Sequence, residues 1–296
     1  MPGIDELRVD PRAPRDARVV EIVGRGDAEP RRQRASGRLS VDVELMGTRS
    51  GVRRVAEEGS ARLRFPRTAD AAPEGVVINT AGGIASGDRF SVEAEVRTGA
   101  SLVLTSAAAE KIYRSDGPVS EVVVRLTARA ESSIAWLPQE TILFDRARLR
   151  RRLDVELDPS ATALLFDATV FGRAAMAEAV REGFYEDRWR VSRGGRLVYA
   201  DTLRLAGDIA DRLRHPAVAA GGRAIATLLY VAPDASARLE EARAHLERAR
   251  SECGASAWDG MLAVRWLAPE IATLRADAAR FMTAFRGRPL PRVWHL

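Results

Sequence analysis

Four carboxylates stand in strongly apolar surroundings. Glu140 and Asp145 flank an apolar trio in Trp136-Leu137-Pro138-Gln139-Glu140-Thr141-Ile142-Leu143-Phe144-Asp145. Asp167 follows Leu164-Leu165-Phe166, and Glu178 closes Phe171-Gly172-Arg173-Ala174-Ala175-Met176-Ala177-Glu178. Burying a carboxylate is costly unless it is paired, so each of these is either ion-paired or has a chemical task. Acids of this kind serve general acid–base chemistry or weak cation coordination. A glycosidase needs two of them at a set separation, which the sequence does not fix, and only 6% of residues are aromatic, few for stacking sugars.

Other chemistry finds little support. His215, His245 and His295 are scattered, with no His-Glu-x-x-His pair, and Cys253 is the single cysteine. That spacing argues against a tight nitrogen- or sulfur-based metal site within the chain, and one cysteine excludes an internal disulfide. No Gly-x-Ser-x-Gly elbow is present. The loop Ala81-Gly82-Gly83-Ile84-Ala85-Ser86-Gly87-Asp88 lacks a Gly-Lys-Ser/Thr and leads into an alternating strand at Phe90. Without a helix N-terminus behind it, such a loop reads as a tight structural connection and not as a phosphate cradle.

Charge points the same way. Net charge is +5, but the 46 basic residues are interleaved with 41 acidic ones, and only Lys111 is lysine. The dense run Arg146–Arg152 is followed directly by Asp154, Glu156 and Asp158, the pattern of a solvated strand face. Nucleic acid is therefore not the expected partner. The longest apolar run, Ala224–Ala232, is broken by Thr227 and falls short of the ~20 residues that cross a bilayer. No apolar stretch follows Arg8, Arg12 and Arg15, so the expectation is a cytoplasmic protein with no membrane partner.

The elements that must position these residues are mostly strands. Residues 1–37, rich in Arg, Pro, Asp and Gly, read as a disordered lead-in with a short strand possible at Val19–Val23. From Leu39 the period is two: Val41, Val43 and Leu45, then Phe90 to Val96, Val122 to Ala128, and Leu153 to Leu157. Gly194-Gly195 suits a tight hairpin. Strands without intervening helices argue for packed antiparallel sheets over βαβ units. Helical spacing concentrates at the end, in a helix over 235–252 that carries Cys253 near its end, and another from Pro269 through Phe285, closed by Gly287. The reading is one domain over 38–296, β-rich over 38–231 and helix-containing over 232–296. The aromatic end of the last stripe, with Phe285 and Trp294, is a candidate docking face.

Taken together and in order, five segments resemble the UreD family of urease accessory proteins, called UreH in some lineages. They are Gly82-Gly83…Gly87-Asp88, Ala108-Ala109-Glu110-Lys111-Ile112-Tyr113-Arg114-Ser115, Trp136-Leu137-Pro138-Gln139-Glu140 with Phe144-Asp145, Phe171-Gly172-Arg173 with Glu178, and Leu290-Pro291-Arg292-Val293-Trp294. Ser86 and Ala177 stand where the family pattern has glycine. The resemblance implies a β-helix-like body of stacked antiparallel and mixed sheets with two helices toward the C-terminus. It implies a non-catalytic scaffold that binds UreF, the GTPase UreG and apo-urease. It also implies no tightly bound cofactor, and transient Ni²⁺ passing toward the urease active site. On that reading Glu178, Glu140, Asp145 and Asp167 are the candidates for nickel passage, Glu178 first, with pairing to Arg173 or Arg181 as its structural alternative. The residues alone leave two other readings open: a carboxylate-dependent β-solenoid enzyme acting on polysaccharide, and a basic β-rich nucleic-acid-binding protein.

Overall fold

Period-two alternation becomes strand along most of the chain in the computed structural model, which describes residues 34–67, 72–173 and 176–295. The expected strand at Val19–Val23 and nearly all of the lead-in lie outside the described residues. Ahead of the first helix come β1 (Ser36–Met46), β2 (Arg49–Gly59), β3 (Ala61–Arg64), β4 (Glu74–Asn79), β5 (Arg89–Val96), β6 (Ser101–Ser106) and β7 (Glu110–Ile112). They continue as β8 (Ser120–Ala128), β9 (Ser133–Trp136), β10 (Thr141–Leu143), β11 (Arg148–Leu157), β12 (Thr162–Phe171), β13 (Gly183–Arg193) and β14 (Arg196–Gly207). The remainder is α1 (Ile209–Arg214), β15 (Ala224–Val231), α2 (Leu239–Leu246), β16 (Glu252–Trp258), β17 (Met261–Ala268) and α3 (Ile271–Arg286).

Two sheets face each other. The first runs β14-β13-β11-β8-β5-β1-β2, the second β16-β17-β15-β12-β9-β6-β4-β3, with β7 and β10 paired beside the end of β12. Within the first, β1, β5, β8, β11 and β13 are parallel; within the second, β4, β6, β9 and β12 are parallel. The packed antiparallel sheets read from strand spacing are corrected, while the β-helix-like body of mixed sheets that the resemblance implied is what the chain forms. Parallel neighbours need a crossover, and helices are its usual form. In this chain the crossover is a strand of the opposite sheet: β5 passes to β6, β8 to β9 and β11 to β12, so the body is a β-solenoid. Antiparallel pairs close its ends, with β2 on β1, and β14 on β13 through the Gly194-Gly195 hairpin.

Leu39, Val92, Leu126, Leu153, Leu104 and Leu165 fill the space between the sheets. A second core lies on the other face of the second sheet, where Phe166 and Trp266 meet Phe281 of α3. Strand β12 is thus covered on both faces, which is why nearly its whole length is buried and its burial does not alternate.

The C-terminal part holds two strands as well as the expected helices. The first predicted helix stops at Leu246, and β16 takes Cys253, which therefore lies on a strand. The cause is Asp277 of α3, only 3% exposed. Its carboxylate accepts the backbone N–H groups of Arg250 and Ser251, each at 2.8 Å, and the Ser251 hydroxyl. Those bonds draw the chain out of helix just ahead of β16. Burial raises the Asp277 pKa, but the Ser251 bonds and Arg280 outweigh it and hold the group ionised.

Candidate functional site: an interior cavity lined by carboxylates

Strand β11 buries alternate residues, and the inward set is Leu149, Arg151, Leu153, Val155 and Leu157. A guanidinium therefore stands in the core, 7% exposed. This corrects the reading of Arg146–Arg152 as a solvated face, which holds for its neighbours and fails at Arg151. The strand register places Arg151 beside Asp187 of β13. Its Nε and Nη2 donate to the two Asp187 oxygens at 2.9 and 2.7 Å, and Nη1 donates to Asp167 of β12 at 2.5 Å. Thr141 accepts from Nη1 at 3.0 Å and Tyr185 from Nη2 at 2.8 Å. Burial alone would weaken the arginine's hold on its proton, but the two carboxylates keep it well above its usual range. Burial pushes Asp167 up, against the pull of Arg151 and with the help of the Asp187 charge. Burial likewise pushes the Tyr185 phenol up.

Two cavities meet at this cluster and share Arg151 and Asp167 as a common wall. The outer one, about 540 Å³, lies between β13–β14 of one sheet and β15–β17 of the other, and its rim reaches the exposed Glu252 and Val218. Asp187, Asp201 and Cys253 also line it. The inner one, about 80 Å³, is walled mainly by apolar side chains, with Ser106, Glu110, Gln139 and Thr141 as further polar members. Glu110 is pushed up to about 7 by burial, with the Asn79 amide at 3.3 Å opposing the shift. Gln139 is buried, and its Oε1 has no hydrogen-bond partner among the described residues.

The sequence candidates fall in different places. Asp167 alone lines the cavity. Glu140 accepts from Arg275 of α3 at 3.0 Å. Asp145 accepts the backbone N–H of Arg181 at 2.7 Å and of Glu182 at 3.1 Å. Glu178 accepts from Arg173 at 2.6 Å, while the Arg173 guanidinium lies 4.0 Å from the Phe144 ring centre. Phe285 and Trp294 are buried: Phe285 stacks on Phe281, and Trp294 donates from Nε1 to the Leu137 carbonyl at 3.1 Å. Sequence reasoning passed over Arg151, Asp187 and Glu110. For the first two the signal was parity, since Arg151 shares the strand face of Leu149 and Leu153, and Asp187 that of Tyr185 and Trp189.

The segments that carried the resemblance also have physical reasons. Trp136-Leu137-Pro138-Gln139-Glu140 breaks the line between β9 and β10, turning Gln139 inward and Glu140 out toward Arg275. Gly83 lies at φ 147°, where a side chain would strike Tyr113 and the Lys111 carbonyl. Asp88 ties the same loop down by accepting from the backbone of Ala35 and Ala85, and β5 follows it, as expected of a structural connection. Gly172 sits at φ 86°, with the Glu178 carbonyl 2.4 Å from where a Cβ would be. Ala177, where the family pattern has glycine, is left-handed at φ 51°. Such a residue costs about 1 kcal/mol relative to glycine. Ala177→Gly is therefore expected to stabilise the protein by about that amount, read as a higher urea midpoint at unchanged slope.

A family model described as UreD urease accessory protein matches residues 35–295. A urease accessory protein UreD from Azorhizobium caulinodans is 58% identical over 267 residues, covering 90% of this chain and 98% of its own length. Those from Methylobacterium sp. (strain 4-46) and Xanthobacter autotrophicus are each 55% identical, covering 90% and 89% of this chain and 96% and 91% of their own. The five segments, the solenoid that joins them and these matches agree: the chain belongs to the UreD urease accessory protein family.

Proposed function

We propose that the chain acts in urease maturation as a non-catalytic scaffold that binds apo-urease together with UreF and UreG and lets Ni²⁺ pass through its interior toward the urease active site. The observation that supports this is the cavity between the sheets, where Asp187, Asp167 and Glu110 succeed one another from the outer to the inner part. Nickel favours imidazole and thiolate, so spaced carboxylates and hydroxyls attract the ion without trapping it. Conduction requires that balance, because an ion held too firmly at any point does not move on. Glu140, Asp145 and Glu178 line neither part of the cavity, and in this reading they set the loops and the C-terminal helix around it. GTP hydrolysis belongs to UreG, and the setting is the cytoplasm. Among the described residues no helix is long and apolar enough to cross a membrane.

Affinity purification of the tagged full-length chain from a urease-expressing host tests the reading. Urease subunits and UreF are expected to co-purify, and the isolated chain is expected to hydrolyse neither urea nor GTP. Either activity surviving repeated purification, or recovery without urease and UreF, overturns it.

A further inference from the structure

The groups around Arg151 form a complete set of oxygen acceptors. Asp167 offers Oδ1 at 2.5 Å, Asp187 both oxygens at 2.7 and 2.9 Å, and Tyr185, Thr141 and Thr169 hydroxyls at 2.8, 3.0 and 3.4 Å. They come from β10 and β12 of one sheet and β13 of the other, so two hydrogen-bonded ladders fix their spacing. The guanidinium is the cation that fills this set. Without it, two carboxylates and three hydroxyls would face one point, an all-oxygen donor set of the kind that takes a divalent cation. A second observation lies on the inner side. The unpartnered Gln139 Oε1, on a side chain 3% exposed, lines the same small cavity as Arg151 and Glu110.

We infer that Asp167 and Asp187 form a divalent-cation exchange site, which the Arg151 guanidinium occupies at rest and gives up to a cation arriving from the outer cavity. The inference rests on the proposed passage of nickel and adds the device that controls it. As the cation takes the two carboxylates, the guanidinium moves into the inner cavity, where Glu110 and Gln139 offer acceptor oxygens. No bond between heavy atoms is made or broken. The Glu110 carboxyl, which burial inclines to keep its proton, releases it to solvent as the guanidinium arrives, so charge stays matched: the dication faces the two aspartates, and the guanidinium faces the Glu110 carboxylate. An unpaired buried charge is the large cost in a protein interior, and exchange avoids it. A monovalent ion brings no more charge than the guanidinium and has no advantage over it. The site thus selects divalent ions, and competition from Arg151 keeps it weak enough to release them.

The test uses the full-length chain and Ni²⁺ alone, with binding read by equilibrium dialysis and stability by thermal unfolding. Arg151→Met is expected to bind one Ni²⁺ at least tenfold more tightly than the wild-type chain. Its melting temperature, lowered in chelator, is expected to rise with Ni²⁺ and not with K⁺. Adding Asp167→Asn is expected to abolish both effects. Arg151→Lys covers the case in which the methionine variant does not fold. A single ammonium cannot bridge both carboxylates as the fork does, so this variant is expected to bind Ni²⁺ more tightly than wild type, though less tightly than Arg151→Met. Wild-type affinity in Arg151→Lys, or in a folded Arg151→Met, overturns the exchange site and marks the cluster as a structural ion pair. Neither urease nor a partner is present, so that failure leaves the maturation reading standing.

Discussion

Glu110→Gln is expected to make the protein more stable above neutral pH and less able to support urease activation. The Glu110 carboxyl is pushed from 4.5 to about 7 by burial. The folded state therefore binds more protons than the unfolded state between those values, and stability falls as pH rises through that window. Below 4.5 both states are protonated and the penalty vanishes; above 7 it is complete, about 3 kcal/mol from the size of the shift. Glutamine is neutral throughout. The gain on substitution is thus expected to be near zero at pH 4.5 and about 3 kcal/mol at pH 8, read from urea unfolding at the two values. The same change removes a carboxylate from the inner cavity, so activation is expected to fall while stability rises. A gain independent of pH would show that Glu110 is not held protonated by burial.

Removal of residues 287–296 is the second large effect. The segment carries Leu290 and Trp294, both buried in the core beneath α3. Its bonds to the rest of the chain include Trp294 Nε1 to the Leu137 carbonyl, Gln139 Nε2 to the Val293 carbonyl at 3.1 Å, and Arg275 to the Trp294 carbonyl at 3.1 Å. Truncating a buried tryptophan alone costs about 3–5 kcal/mol, and loss of Leu290 adds about 2 or more. That sum approaches the whole stability of a typical domain. The truncated chain is expected to be insoluble and to lose UreF, while Trp294→Phe, which gives up the Leu137 bond, costs about 1–2 kcal/mol and keeps both. Unchanged solubility and UreF binding after truncation would contradict the packing described here. Because the segment holds Gln139, its loss also disturbs the wall of the inner cavity.

Much of this architecture was legible in alternation. The strands at Leu39, Phe90, Val122 and Leu153 and the Gly194-Gly195 hairpin follow from period two and turn chemistry, and the last helix from its stripe and its glycine cap. Strand direction did not follow, because alternation reports which face is buried and not which neighbour lies alongside. The β-helix-like body came from the resemblance. Cys253 was misplaced because Asp277, 24 residues further on, ends the helix before it. Asp167 stood out as an acid among apolar neighbours, but its partner was hidden in a charge run whose density outweighed its parity. Glu110 sits on a short strand, and its depth comes from Asn79 and the opposite sheet, contacts far away in sequence.

The passage of nickel through the interior is tested most directly by Asp167→Asn in a reconstituted system of apo-urease, UreF, UreG, Ni²⁺ and GTP. Asparagine keeps the volume and the hydrogen-bonding shape of the side chain and removes its charge, and Asp187 still holds Arg151, so the fold and the complex are expected to persist. Assembly is followed by size-exclusion chromatography and activation by urea hydrolysis. An intact complex with activation lowered about tenfold is the predicted result. An intact complex that activates urease at the wild-type rate would contradict an interior route past Asp167.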